Sequence, residues 1–168
     1  MITRTYAKGD SSSTATYSEC EKYRYSLTRI WNGSGKRVNF IMLNPSTATE
    51  LQNDPTVERC ERRARTLGYG SFAVTNIFAW RDTDPRAMKT ASDPIGPEND
   101  ASIIKQAEWA NDLIAAWGTH GAHLERGSAV KSMLHFTNQP LFHLGLSKDG
   151  HPRHPLYLPY VQPPERWV

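Results

Sequence analysis

The chain has 168 residues, of which 38% are hydrophobic, and this size fits a single domain with one core. It carries 20 lysines and arginines against 17 aspartates and glutamates, a formal net charge of +3. This mild excess of positive charge suits a polyanionic partner. No apolar run reaches membrane-spanning length, and the N-terminus lacks an apolar signal core. We therefore expect a cytoplasmic monomer that does not associate with membranes.

The first half of the chain predicts two strands and a helix. Residues 1–20 are polar and predict a loosely ordered start that leads into a half-buried strand at 23–31. Asparagine, serine and glycine at 32–35 predict a hairpin turn before a buried strand at 37–43. Asp54 followed by proline predicts a helix N-terminus, since aspartate caps helices and proline favours their first turn.

The second half predicts strands that alternate with helices. The helix after Asp54 should end near Gly68, and Pro97 should open another. The remaining predicted elements are strands at 71–79, 112–117 and 141–146, a long loop at 80–97 and helices at 97–111 and 127–138. This alternation predicts a single α/β domain, a three-layer α/β/α sandwich with a central, mostly parallel sheet.

Polar residues follow the predicted strands where such a sheet binds ligands, beyond the carboxyl ends. Asn44, Asn76 and Gly118 each end a strand, and a histidine-proline loop at 151–156 follows the last one. Each has a purely structural alternative, such as shaping a turn or satisfying backbone groups. We expect all of them to lie at one edge of the sheet.

Long stretches resemble a bacterial and phage family known only as a domain of unknown function. The similar segments are IMLNPSTA, NDPTVERCERRARTLGYGSFAVTNIFAWR, DPIGPEND, LIAAWGTHG and GLSKDGHPRHPLYLP, and they cover roughly residues 37–160. This resemblance alone implies no activity.

The order of the strand-end motifs also resembles the uracil-DNA glycosylase superfamily. The corresponding segments are Leu43-Asn44-Pro45, Thr75-Asn76, Trp117-Gly118 and the 151–156 loop. The superfamily's water-activating position would hold Asn44 here and not an aspartate, which leaves Asp54 as an alternative. The loop has two His-Pro pairs, so His151 and His154 compete for one role.

The resemblance implies a DNA glycosylase that flips a nucleobase out of the stack and cleaves its N-glycosidic bond. Its catalytic residues would be Asn44 and one or both of His151 and His154, with Asn76 reading the base edge. Phe40, Phe78 and Ser46 are further candidates for contact with the base, although both phenylalanines could equally belong to the core. Candidates for contact with DNA are Trp80, Arg81, Gly118, His120, Lys148, Arg153, Leu156 and Tyr157.

The long 80–97 loop suggests a roomy pocket for a bulky modified pyrimidine of the phage type, and hence a role in anti-phage defence. We expect no cofactor and no metal, because no metal-ligand motif surrounds His120 or His123. Two other classes remain open: a hydrolase of small nucleosides or nucleotides, and a non-catalytic DNA-binding module.

Overall fold

The structure is a computed structural model that describes residues 1–168. None of its helices combines the length and the apolar character that a membrane span requires. The elements in chain order are β1 (Ile2–Lys8), β2 (Ser11–Tyr17), β3 (Arg24–Ile30), β4 (Arg37–Met42), α1 (Pro55–Thr66), β5 (Ser71–Asn76), α2 (Pro85–Lys89), α3 (Asn99–Trp109), β6 (Asp112–Ala115), a 3₁₀ segment (Thr119–Glu125), α4 (Arg126–His135), β7 (Leu141–His143) and β8 (Glu165–Arg166).

All strands belong to one eight-stranded mixed sheet in the order β1-β2-β3-β5-β4-β6-β7-β8. Only the inner neighbours β5-β4-β6-β7 pair in parallel, while β1-β2-β3-β5 and β7-β8 pair antiparallel. The expectation of a three-layer α/β/α sandwich with a mostly parallel sheet is therefore wrong. Strands that alternate with helices do pair in parallel in the middle of the chain. The N-terminal strands pair antiparallel instead, which makes the sheet mixed.

The N-terminal residues account for most of this difference. Positions 1–20, expected to start loosely ordered, form β1 and β2 in continuous register from Ile2 opposite Tyr17 to Lys8 opposite Ser11. Buried positions of β2 alternate with the more exposed Ser12, Thr14 and Thr16, as the side-chain alternation of a strand requires. The predicted hairpin at 32–35 is also wrong, because β3 pairs with β5 and leaves β4 on the far side of that strand.

Side chains of the central strand β4 alternate between two hydrophobic clusters on opposite faces of the sheet. Phe40 and Met42 join a cluster that contains α1 residues, while Ile41 joins the cluster of α3 and α4. Helix α1 begins at Pro55 with Asp54 as its N-cap, as predicted. The 80–97 loop holds the short helix α2, which the sequence analysis did not predict.

Phe40 and Phe78 are core residues, so their proposed contact with a base is wrong. Both side chains are fully buried. Phe40 lies inside β4 with its ring edge-on to Phe72, and Phe78 packs against His123. Neither lines a cleft, and a ligand cannot stack on a ring that is enclosed on all sides.

Truncation of Phe40 tests this correction. We expect Phe40→Ala to lower the free energy of unfolding by about 3–5 kcal/mol, the usual range for a buried phenylalanine. Urea denaturation of the variant gives the value. Phe136→Ala is the control, because that ring is 83% exposed and its loss should change stability by less than about 0.5 kcal/mol. A small effect at Phe40 would contradict its placement in the core.

Candidate functional site

Parallel pairing brings the strand-end residues together at one edge of the sheet. Met42 of β4 lies opposite Asn76 of β5, and Ile41 lies opposite Ala115 of β6. Asn44 lies two residues beyond β4 and Gly118 three residues beyond β6, and both line the same cleft. The antiparallel partner β3 contributes its first residue to the same edge, because its N-terminus lies beside the carboxyl end of β5.

A cleft of about 370 Å³ opens at this edge, within the range of ligand sites. The floor of the cleft is formed by the buried residues Arg24, Met42, Val74 and Asn76, whereas Thr119 at its mouth is exposed. The residues that line the cleft are Arg24, Met42, Leu43, Asn44, Pro45, Ser46, Asp54, Pro55, Thr56, Val57, Val74, Asn76, Asp82, Thr83, Pro85, Trp117, Gly118, Thr119, His120 and His154.

Asn76 lines the cleft and has an amide nitrogen without a partner. The residue is 1% exposed, and its Nδ2 has no hydrogen-bond partner in the protein. Its backbone carbonyl is held by Nδ2 of Asn99 at 2.9 Å, which fixes the main chain at this strand end. A buried donor without a partner costs about 1–3 kcal/mol, so a ligand that accepts from it would recover this free energy.

Asn44 is oriented by the loop that follows β5. Its Nδ2 donates to the carbonyl oxygens of Asp82 at 2.9 Å and Pro45 at 3.3 Å. These two acceptors fix the amide orientation, so Oδ1 is the atom left to accept from a ligand or a water molecule. The Asp82 side chain also lines the cleft, and its Oδ1 accepts from the Asp84 amide at 3.0 Å.

Both carboxylate oxygens of Asp54 accept hydrogen bonds from the main chain. Its Oδ1 accepts from the Val57 amide at 2.9 Å as the cap of α1, and its Oδ2 accepts from the Ala48 amide at 3.2 Å. The carboxylate thus ties the loop after β4 to the start of the helix. Because both oxygens are engaged, Asp54 lines the cleft chiefly as a structural residue.

His154 has a defined tautomer in its neutral form. Its Nδ1 accepts from the Leu156 amide at 3.2 Å, so the proton of a neutral ring lies on Nε2. Burial, followed by the positive charge of Arg59, lowers the pKa of His154 below its usual value of 6.5. At neutral pH the residue therefore offers one Nε2–H donor at the wall of the cleft.

His151 lies in a neighbouring groove and does not line the cleft. We call this the side groove; its lining residues are Gly118, Thr119, Ser147, His151, Arg153, His154, Leu156, Tyr157 and Leu158. Gly118 joins the two sites, since its amide donates to Pro152 O at 2.8 Å and its φ of 73° favours glycine. His154 is thus the histidine that borders both spaces.

Two other predicted residues line the outer part of the cleft. His120 is exposed, and its Nδ1 accepts from Nζ of Lys89 at 2.9 Å, while burial and then the charge of Lys89 lower its pKa. Ser46 is half-buried in the loop after β4. Both could contact a substrate near its entrance.

The structure places three of the predicted DNA contacts away from the cleft. Trp80 is half-buried and packs edge-on against Tyr23, while Arg81 donates to Glu21 O at 3.1 Å. Lys148 is exposed but borders neither the cleft nor the side groove. These three residues therefore lie apart from the predicted DNA contacts that line the cleft or the side groove.

The final loop presents Leu156 and Tyr157 beside the side groove. Tyr157 is 84% exposed and adopts a φ of 67°, a conformation that costs a non-glycine residue about 1–2 kcal/mol. Its ring lies under the Arg59 guanidinium at 5.8 Å. Arg153 is exposed on the same loop. An aromatic ring and basic groups thus border the mouth of the site.

Sequence reasoning missed one residue on the floor of the cleft and gave no role to another. Arg24 begins β3 and looked like an alternating residue of a half-buried strand, so no signal marked it. Asp82 follows a strand end and was noted only as part of the long loop, although its position beyond β5 could have indicated it. No group of three or more histidine, cysteine or acidic residues is arranged to hold a metal ion.

Comparison with known proteins assigns the family. The model of a protein family of unknown function, DUF1643, matches residues 24–156, which is more than half of the chain. The chain belongs to this family. The match includes Asn44, Asn76, Gly118 and the histidine-proline loop. No curated protein and no solved structure matched the chain.

The titration of His154 is a direct test of this site. We expect NMR titration to give a pKa below 6.5, because burial and Arg59 disfavour the charged ring. Between that value and 6.5 the unfolded chain binds more protons, so stability rises with pH through this window and falls on acidification. Urea unfolding across the window should show a smaller pH dependence in His154→Gln.

Arg59→Gln provides the matched electrostatic variant. Removal of its positive charge should raise the pKa of His154, while the hydrogen bond to the Leu156 amide remains. A wild-type pKa at or above 6.5 would contradict the buried, neutral histidine that the site requires.

Proposed function

We propose that this protein is a DNA glycosylase that binds an extruded nucleobase in the cleft and hydrolyses its N-glycosidic bond. The observation that carries this proposal is the buried Asn76 amide, whose nitrogen lacks a partner, in a cleft that the His154 imidazole and the Asn44 amide also line. A nucleobase edge carries carbonyl oxygens and N–H groups that match such donors and acceptors.

The neutral His154 ring suits stabilisation of the leaving base. As the bond between C1′ and the base nitrogen breaks, its electron pair moves onto the base and negative charge builds on a base oxygen. Because the proton of the neutral ring already lies on Nε2, the Nε2–H of His154 can donate a hydrogen bond to that oxygen. Because His151 faces only the side groove, the proposal assigns this role to His154.

Asn44 and Asp82 suit the binding of the attacking water. The Oδ1 of Asn44 can accept a hydrogen bond from the water, and the Asp82 carboxylate, which also lines the cleft, can take up the proton that the water loses. The water oxygen then bonds to C1′, which carries positive charge in the transition state. The products are a free base and an abasic site. A sugar cation needs little help from a base, so an asparagine suffices for orientation.

Basic and aromatic residues at the mouth support DNA as the substrate over a free nucleoside. Arg59, Lys89 and Arg153 lie close to His154, His120 and the side groove, where phosphates of a bound strand would pass. The exposed Tyr157 and Leu156 could fill the space left by an extruded base. A bulky modified pyrimidine, and a role in anti-phage defence, remain predictions.

Abasic-site formation tests the proposal. Purified protein is incubated with oligonucleotides that contain uracil, normal bases or phage-type modified pyrimidines, and strand breaks are counted after alkaline treatment. We expect release of at least one base, and a fall of about 10²–10³ in rate for His154→Ala, as for other donors to a developing oxyanion. Asn76→Ala should lose activity, because base recognition fails.

His151→Ala is the matched control and should retain most of the activity. A greater loss for His151→Ala than for His154→Ala would overturn the assignment of the donor. Release of bases from nucleosides but not from DNA would indicate a small-molecule hydrolase, and DNA binding with no release would indicate a binding module.

Tyr157→Ala tests the role of the final loop. We expect weaker activity on duplex DNA with little change on single strands, because only a duplex must be opened and held apart. Kd values and single-turnover rates on both substrates provide the comparison. The control is Tyr6→Ala, since Tyr6 is also exposed but lies on the edge strand β1. Equal losses of activity on duplex and single-stranded DNA would argue against a role of Tyr157 in holding the duplex open.

A further inference from the structure

Arg24 is a buried cation on the floor of the cleft. The residue is 1% exposed, and its burial lowers the pKa of the guanidinium to about 10. The single hydrogen bond of its side chain runs from Nη1 to Ala48 O at 3.0 Å, and its Nε is buried without a partner. A guanidinium has five N–H donors, so most of its capacity is unused.

No carboxylate pairs with this charge. Among the nearby charges, Asp54 raises the pKa of Arg24 most. However, the two side chains form no ion pair within 4.0 Å, and both Asp54 oxygens accept from backbone amides. Burying a charge without a partner is costly, and proteins normally pair such groups. A ligand that carries negative charge would supply the missing partner.

The start of α1 adds one N–H donor at the same place. Pro55, Thr56 and Val57, the first residues of this 12-residue helix, line the cleft with Arg24. Pro55 has no N–H and the Val57 amide already donates to Asp54, which leaves the Thr56 amide for a ligand. Because the Asp54 carboxylate opposes the helix dipole at this terminus, the unpaired guanidinium is the main group that favours an anion.

From these observations we propose that the ligand of this cleft carries an oxyanion, a carboxylate or a phosphate, which Arg24 binds next to the group that Asn76 recognises. The proposal rests on the proposed function in treating that ligand as a nucleobase or nucleotide. Arg24 and Asn76 are each 1% exposed, whereas the mouth of the cleft is open to solvent. The anion therefore belongs to the ligand that enters the cleft and binds below the protein surface.

Calorimetric titration with small probes tests this without any catalytic step. The charged probes are 5-carboxyuracil and uridine 5′-monophosphate, and the neutral ones are uracil and uridine. We expect at least one charged probe to bind about tenfold or more tightly than its neutral counterpart, as charge-assisted hydrogen bonds allow. Preference for 5-carboxyuracil places the anion on the base, and preference for uridine 5′-monophosphate places it on the sugar.

Variants assign the effect to Arg24. Arg24→Gln should abolish the preference for the charged probe, Arg24→Lys should retain part of it, and Arg166→Gln should leave it unchanged after removal of a charge from β8. The melting temperature of ligand-free Arg24→Met should equal or exceed that of the wild type, because an unpaired buried charge is removed.

Equal binding of charged and neutral probes by the wild type would overturn the proposal, and this result needs no variant to fold. An unchanged preference in Arg24→Gln would also overturn it. The outcome is separate from the proposed function: anion preference without base release from DNA leaves the inference standing, whereas base release without anion preference leaves only the glycosylase.

Discussion

The parallel register of three central strands is the constraint on which the site depends. Met42 opposite Asn76 and Ile41 opposite Ala115 bring the carboxyl ends of β4, β5 and β6 level with one another. A shift of one residue in either pair would turn Asn76 or the Trp117-Gly118 segment to the other face of the sheet. The antiparallel pairing of β3 with β5 then adds Arg24 to this edge. Thus a mixed sheet supplies what a parallel sheet alone would lack, a cation on the floor of the cleft.

The backbone of Ala48 links this sheet edge to the helix that borders the cleft. Its amide donates to Asp54, and its carbonyl accepts from Arg24. One residue of the loop thereby fixes both the cap of α1 and the guanidinium. Asp54 accordingly contributes to the site through geometry, although its carboxylate faces the same cleft.

The sequence predicted the middle of this molecule better than its ends. Strand ends at Asn44, Asn76 and Gly118 were placed at one edge because crossover connections force parallel neighbours into alignment, and these three residues do line one cleft. The N-terminal meander was missed because serine and threonine at 11–16 suggest a loop by composition, although their alternation fits a strand. Which strand β3 joins could not be predicted, since its pairing with β5 depends on contacts far along the chain.

The site residues divide in the same way. Residue type and position pointed to both histidines of the final loop, but only the three-dimensional path of the loop separates His154, in the cleft, from His151 in the side groove. Phe40 and Phe78 were uncertain because an aromatic residue near a strand end can face either the core or the ligand. Arg24 gave no signal at all, since an arginine on an alternating strand is usually at the surface.

Two unpaired buried groups on one cleft floor are difficult to explain as structural residues. Buried polar groups in folded proteins are normally hydrogen-bonded, but Asn76 Nδ2 and Arg24 Nε both lack partners, and both residues line the same cleft. Arg29 and Arg63 also have an unpaired Nε, but their terminal nitrogens hold loop carbonyls that the fold needs. Arg24 makes only one such bond, so its unused capacity exceeds any structural need. A ligand that supplied partners for Arg24 and Asn76 would recover the stability that these unpaired groups cost.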